Sequence, residues 1–268
     1  MIPLFSDGTI NDTPTYKMKK ILITGMSGLV GGILRKHLDE RGGYALSALN
    51  RRDVAGVPTT QADLGDLDAI KPAFVGQDVV VHLAAQIEED DLDSMLRINV
   101  MGTYNVFEAS RLAGVKRIVY ASSVSTCAGW TTEAPYEAIF AGRYDEVPEK
   151  WPMLTHDMVR ARGLYGASKV WGEALARHYA DAYDISILCV RLGRVREEDR
   201  PVEIHEYAAF LSHRDAADFL HRCIEAPEDL KYDIFFASSN NKWGIRDIDH
   251  PREVLGYIPQ DSAEDYRK

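Results

Sequence analysis

The chain has 268 residues, 46% of them apolar and 27% charged, and 41 acidic against 31 basic side chains leave a net charge of −10. This composition excludes a disordered, collagen-like or coiled-coil protein, and the length allows one large domain or two small ones with ample core. The acidic balance argues against nucleic acid, whose phosphates need a basic face, and no apolar run is long enough to cross a membrane.

Residues 1–17 are polar and rich in turn formers and read as a flexible N-terminal tail, with Met18 an alternative start. They lack a basic stretch followed by an apolar one, so no secretory signal is expected. Cys127, Cys189 and Cys223 stand far apart with no CxxC. That fits buried thiols in a reducing, cytoplasmic compartment.

Lys20 to Thr24 is a short β-branched run stopped by Gly25, the pattern of a buried parallel strand. Gly25-Met26-Ser27-Gly28-Leu29-Val30-Gly31 follows as GxxGxxG, ahead of a helix over 29–41 that Gly42-Gly43 ends. Gly25 allows the tight turn, Gly28 lets backbone approach a pyrophosphate, and Gly31 lets helix and sheet close up. With Ser27, Leu29 and Val30 these residues are expected to hold a dinucleotide at a helix N-terminus. An ordinary turn is the competing reading.

A second strand over 44–49 ends without an acid and runs into Asn50-Arg51-Arg52. Either arginine can pair with a 2′-phosphate, which favours NADP over NAD; a solvated basic turn is the alternative. A third strand lies near 57–62, and Asp63-Leu64 after it is placed to contact adenine, unless Asp63 caps the next helix. Further helices are expected at 66–74, 94–113 and 164–183, with strands at 78–83, 117–121 and 185–190. The alternation predicts an α/β Rossmann-type fold: a doubly wound parallel sheet over residues 18–190 and a small substrate lobe over 191–268. That lobe is expected to carry a helix near 214–225 capped by Asp215, a strand near 233–237 and a short tail helix. Residues 130–163 form a long connection, and loops of that length are usually functional.

Tyr165-Gly166-Ala167-Ser168-Lys169 puts a phenol and an ammonium on one helix face. The charge of Lys169 is expected to lower the pKa of Tyr165, fitting it to exchange a proton with a substrate hydroxyl. YxxxK is common by chance, so the rest of the chain has to support it. Ala121-Ser122-Ser123 closes the fifth strand at the edge where such sheets bind ligands, and Ser123 is placed to hydrogen-bond the reacting oxygen.

With these motifs in this order the chain resembles the extended short-chain dehydrogenase/reductase group, the NAD-dependent epimerase/dehydratase family, over about residues 19–260. The motifs are ITGMSGLVG at 23–31, ADL at 62–64, HLAA at 82–85, INVMGTYNV at 98–106, YASS at 120–123 and YGASK at 165–169. The resemblance implies a catalytic set of Ser123, Tyr165 and Lys169, with Tyr165 and Lys169 also on the cofactor. It further implies cofactor contacts from Leu83, Ala84, Ala85, Ala121 and Ser122, and a structural or cofactor-side role for Asn99. Stretches such as GLYGASKVWGEALARHYA at 163–180 and FLSHRDAADF at 210–219 are similar to short sugar dehydrogenases of the uronate and archaeal glucose-6-phosphate kinds. These imply oxidation of C1 of an aldose, uronate or hexose phosphate to a lactone, a carbohydrate substrate touched by Gln86, Ser125 and Arg194, and a homodimer or higher oligomer. A sugar-nucleotide epimerase or dehydratase is the alternative, and a catalytically silent NADP-binding redox sensor is the reading from another class. No His, Cys or acidic spacing suits a metal. His82 reads as a core or crevice histidine, and Trp130, Trp151 and Tyr136 as loop packing unless they line the sugar site.

Overall fold

The computed structural model describes residues 18–267, and the expected tail at 1–17 lies outside them. Strands β1 (Lys19–Thr24), β2 (Tyr44–Asn50), β3 (Thr59–Gln61), β4 (Val79–His82), β5 (Arg117–Ser123), β6 (Ser186–Leu192) and β7 (Tyr232–Ala237) make one sheet in the order β3-β2-β1-β4-β5-β6-β7. Every neighbouring pair is parallel. The strand order reverses between β1 and β4, which opens a crevice at their carboxyl ends.

Continuous apolar strands are what a sheet covered on both faces requires. Ile21 and Ile23 of β1 pack with Leu34 and Leu38 of α1 (Leu29–Arg41) and with Phe219 and Leu220 of α7 (His213–Glu225). Leu22, Ile118 and Tyr120 face the opposite layer. There they meet Ile70 of α2 (Leu67–Ile70), Val106 and Phe107 of α4 (Gly102–Ala113) and Tyr179 of α6 (Gly163–Ala182). α3 (Leu92–Met95) precedes α4, α5 (Tyr136–Ala141) lies in the long connection, and α8 (Asp249–Leu255) follows β7. No helix among the described residues is long and apolar enough to cross a membrane.

Three details depart from the sequence pattern. The helix expected over 94–113 starts earlier, at Leu92, and is widened by a π-helical turn at Leu96–Met101 that includes the buried Asn99. The helix expected over 66–74 is α2 followed by a 3-10 turn at Lys71–Phe74, where Pro72 cannot continue the α-helical ladder. The cap of α7 is Ser212, whose hydroxyl accepts from the Asp215 N–H, and not Asp215. The Asp215 carboxylate is instead fully buried, accepting from Ser239 Oγ at 2.6 Å and the Gln260 N–H at 2.8 Å, so it ties α7 to the C-terminal segment.

His82, at the end of β4, is buried with Nδ1 2.7 Å from Thr24 Oγ1 and Nε2 3.2 Å from Thr103 Oγ1. Burial, aided by the Lys169 charge, pushes its pKa down to about 3. Below 6.5 the unfolded chain therefore takes up a proton that the folded chain refuses. The stability kept at neutral pH is lost as pH falls through that window. Urea melts of His82→Gln from neutral pH to about 4 should lose stability less steeply than wild type, by up to about 1.4 kcal/mol per pH unit. Parallel curves would contradict a neutral, buried His82.

Candidate active site

The glycine turn is shaped by two close approaches. Gly25 has φ +72°, and a Cβ there would sit 2.8 Å from the backbone of Ala84. A Cβ on Gly31 would sit 2.5 Å from the Gly25 carbonyl, so only glycine lets α1 start directly under the strand. The residue at the N-cap of α1 is Gly28, which offers no side-chain cap, and no acid stands in the first turn. Its first N–H groups and the positive end of its dipole are thereby left for an anion.

A cavity of about 500 Å³ opens here, lined by Gly25 and Ser27 to Gly31, by Asn50, Arg51 and Arg52, by Asp63 and Leu64, and by Leu83 to Ala85. Asn50 is 5% exposed, and neither its Nδ2 nor its Oδ1 has a hydrogen-bond partner. A buried amide without partners is rare in a finished core and fits a ribose hydroxyl. Arg51 and Arg52 are exposed at the same cavity and form no ion pair among the described residues. Asp63 caps no helix: it accepts from the Gly65 N–H and pairs with Arg97, while Asp66 caps α2. The uncapped helix, the glycine cradle and the unpartnered Asn50 fit the pyrophosphate and adenosine ribose of a dinucleotide.

A second cavity, about 820 Å³, shares Val30, Leu83, Ala85, Ile87 and Val195 with the first. Ser123 reaches it from the end of β5, and Tyr165 and Lys169 from α6. α6 lies close because a Cβ on Gly166 would be 2.7 Å from the Ser125 carbonyl, and one on Gly172 only 2.2 Å from Tyr120 Oη. The ammonium of Lys169 donates to the Ala121 carbonyl at 2.8 Å and stands 5.5 Å from the Tyr165 ring centre. Burial lowers Lys169 to about 8, with Glu173 opposing.

The phenol of Tyr165 behaves differently from the sequence expectation. Burial pushes it up to about 12, and the Ser123 hydroxyl works the other way. Desolvation of the phenolate outweighs the hydrogen bond that favours it, so the net shift is upward. Ser123 Oγ lies 3.1 Å from Ser125 Oγ and accepts from the Ser125 N–H. Ala121 and Ser122 also line this cavity, although the Ser122 hydroxyl is spent on Glu173, to which it donates at 2.5 Å.

Ser125 and Arg194 also line the second cavity. Gln86 lines neither: its side chain turns to Glu88, and its backbone exchanges hydrogen bonds with Asn99. Asn99 lines neither cavity and joins that loop to Ser168 of α6, a positioning arrangement. Trp130, Trp151 and Tyr136 pack with Cys127, Ile139 and Leu154 and do not line the cavity. Arg162 and Arg246 line it although no motif or spacing marks them.

A dinucleotide cradle continuous with a phenol, a hydroxyl and an ammonium can support proton exchange beside a redox cofactor. Residues 21–198 match the model of the NAD dependent epimerase/dehydratase family. The chain is 32% identical over 257 residues to the NAD-dependent glucose-6-phosphate dehydrogenase of Haloferax volcanii, covering 92% of this chain and 95% of that one. It is 31% identical over 258 residues to the L-arabinose 1-dehydrogenase (NAD(P)(+)) of the same organism, covering 92% and 98%. The crystal structure of uronate dehydrogenase from Agrobacterium tumefaciens superposes with a TM-score of 0.78 at 30% identity, over 94% of this chain and 88% of that one.

Proposed function

The chain belongs to the NAD dependent epimerase/dehydratase family, and we propose that it oxidises C1 of a cyclic aldose, uronate or hexose phosphate to the lactone. NAD(P) bound in the glycine-turn cavity supplies the hydride acceptor. Ser123 holds the C1 oxygen, Tyr165 accepts the hydroxyl proton, and the ammonium of Lys169 stabilises the phenolate. The observation that carries this reading is the convergence of these three side chains on one cavity that continues into the cradle. Residues 18–190 hold the cofactor, and residues 191–268 contribute Arg194, His205, Glu206 and Arg246 to the sugar side.

The test is an absorbance screen for reduced nicotinamide, with hexoses, pentoses, uronates and hexose phosphates and with both cofactors. A dehydrogenase reduces added cofactor mole for mole with lactone formed. An epimerase or dehydratase turns substrate over with no net reduction, and a silent sensor does neither.

Arg51 and Arg52 support a preference for NADP, since two guanidinium groups with no ion pair among the described residues suit a 2′-phosphate. Replacing both by Ala should raise KM for NADP roughly tenfold or more and leave KM for NAD nearly unchanged. Equal loss for both cofactors, or a wild-type preference for NAD, removes the assignment. Exposed Leu96, Met101 and Leu112 around α4 support a homodimer, and three buried free thiols support a cytoplasmic setting.

A further inference from the structure

The second cavity contains a buried cation with no counter-charge. Arg246 is 4% exposed, yet no carboxylate pairs with it among the described residues. Its Nη1 donates to the Ala208 carbonyl at 3.3 Å, its Nε has no partner, and its guanidinium sits 5.9 Å from the Phe140 ring centre. Its backbone is pinned from both sides: Leu154 N donates to the Ile245 carbonyl at 2.7 Å, and Asp247 N to the Leu154 carbonyl at 3.0 Å. The backbone at Arg246 is therefore fixed beside the cavity.

The carboxylates that line the same cavity are engaged elsewhere. Glu137 pairs with Arg143. Glu206, 1% exposed, accepts from Arg194 Nε at 3.0 Å, from Arg196 and from the Val202 N–H. Burial opposes its charge, but these donors hold it down at about 2, so it stays an anion committed to them. Arg194 is in turn fixed through Nε alone, which leaves both terminal nitrogens for another acceptor.

The contrast with Arg191 is informative. Arg191 is fully buried too, but Glu173 answers it with two hydrogen bonds of 2.8 Å. An unanswered buried guanidinium costs several kcal/mol unless a ligand brings the anion. Arg246 comes from the loop after β7, two strands away from β5. It therefore reaches the cavity from a different part of the fold than Ser123.

We propose that Arg246, with Arg194 on the same cavity, seats an oxyanion carried by the substrate away from C1, a carboxylate or a phosphate, and so selects anionic sugars over neutral aldoses. This rests on reading the cavity as the sugar site. The guanidinium fork matches either group through paired N–H···O bonds, and the burial of Arg246 makes its bonds the stronger, while Arg194 is half exposed.

The experiment compares D-glucuronate, D-glucose 6-phosphate and D-glucose on the full chain, by kcat/KM and by calorimetric binding to cofactor-loaded protein. At least one anionic sugar should exceed glucose by about 100-fold or more. Which one wins separates carboxylate from phosphate. Arg246→Met should collapse that ratio to within about tenfold, mainly through KM, and Arg246→Lys should restore part of it. The ligand-free Arg246→Met protein should melt no lower than wild type, because an unpaired buried charge has been removed. A lower melting temperature with all three sugars equally affected would mark Arg246 as structural and overturn the proposal. Oxidation of glucose as efficient as that of both anionic sugars would overturn it while leaving the dehydrogenase reading intact. Oxidation of no sugar would remove that reading, and the seat would then stand or fall on calorimetry, where no binding of either anionic sugar overturns it.

Discussion

Tyr165→Phe is expected to lower kcat by about 10²- to 10⁴-fold on whichever sugar is oxidised. The change removes one oxygen from a half-buried ring and leaves its packing in place. The loss therefore reports the missing proton acceptor and not a collapsed site. Stopped-flow or steady-state reduction of NAD(P) reads it directly, and a variant that keeps the wild-type rate would end the assignment.

A pH profile gives an independent check on the same group. Burial holds the phenol near 12, so at neutral pH it is almost wholly protonated. The phenolate fraction rises about tenfold per pH unit towards that value. In the oxidative direction kcat/KM should therefore climb as pH rises from neutrality. Lys169, lowered to about 8, loses its proton on the way, so the climb should flatten above that point as the ammonium disappears. Lys169→Met should lower the rate and remove the flattening. A profile that is level from neutral to alkaline pH would place the proton transfer on another group.

Glu173→Ala is expected to destabilise the protein by about 3–5 kcal/mol. Glu173 accepts from both Nε and Nη2 of Arg191 and from Ser122 Oγ, and the Arg191 side chain is wholly enclosed. Removing the carboxylate leaves a guanidinium without an anion, and its Nη1 already lacks a partner. In thermal melts that corresponds to a fall of roughly ten degrees or more. Replacing the pair together, Glu173→Leu with Arg191→Met, should recover most of the loss, because two apolar groups need no counter-charge. A single variant that loses less than about 1 kcal/mol would show that the ion pair is not what holds this layer. The pair also bears on the active site. Glu173 lies one helical turn beyond Lys169, and Ser122 directly precedes Ser123, so loosening it should also lower kcat.

The local devices of the fold were legible in the chain. GxxGxxG between a strand and an amphipathic helix, a phenol and an ammonium one turn apart, and two serines at a strand end each act over a few residues. Their geometry follows from backbone periodicity, so spacing alone brings them to one crevice edge. The same holds for the parallel sheet, whose two-sided burial is written in unbroken apolar runs such as Ile21 to Ile23 and Val79 to Val81.

The tertiary structure decided what depends on partners distant in sequence. Asp215 has the position of a cap, but its carboxylate meets Gln260 and Ser239, so it became an internal tie and Ser212 took the cap. Gln86 stands in the right loop but spends its side chain on Glu88. The pKa of Tyr165 depends on how deeply the phenol is enclosed, which no i to i+4 spacing reports. Arg246 stands out only because burial left its Nε without a partner. Hydrogen-bond satisfaction and desolvation belong to the packed assembly and not to any segment of it, so residue identity and spacing gave no sign of them.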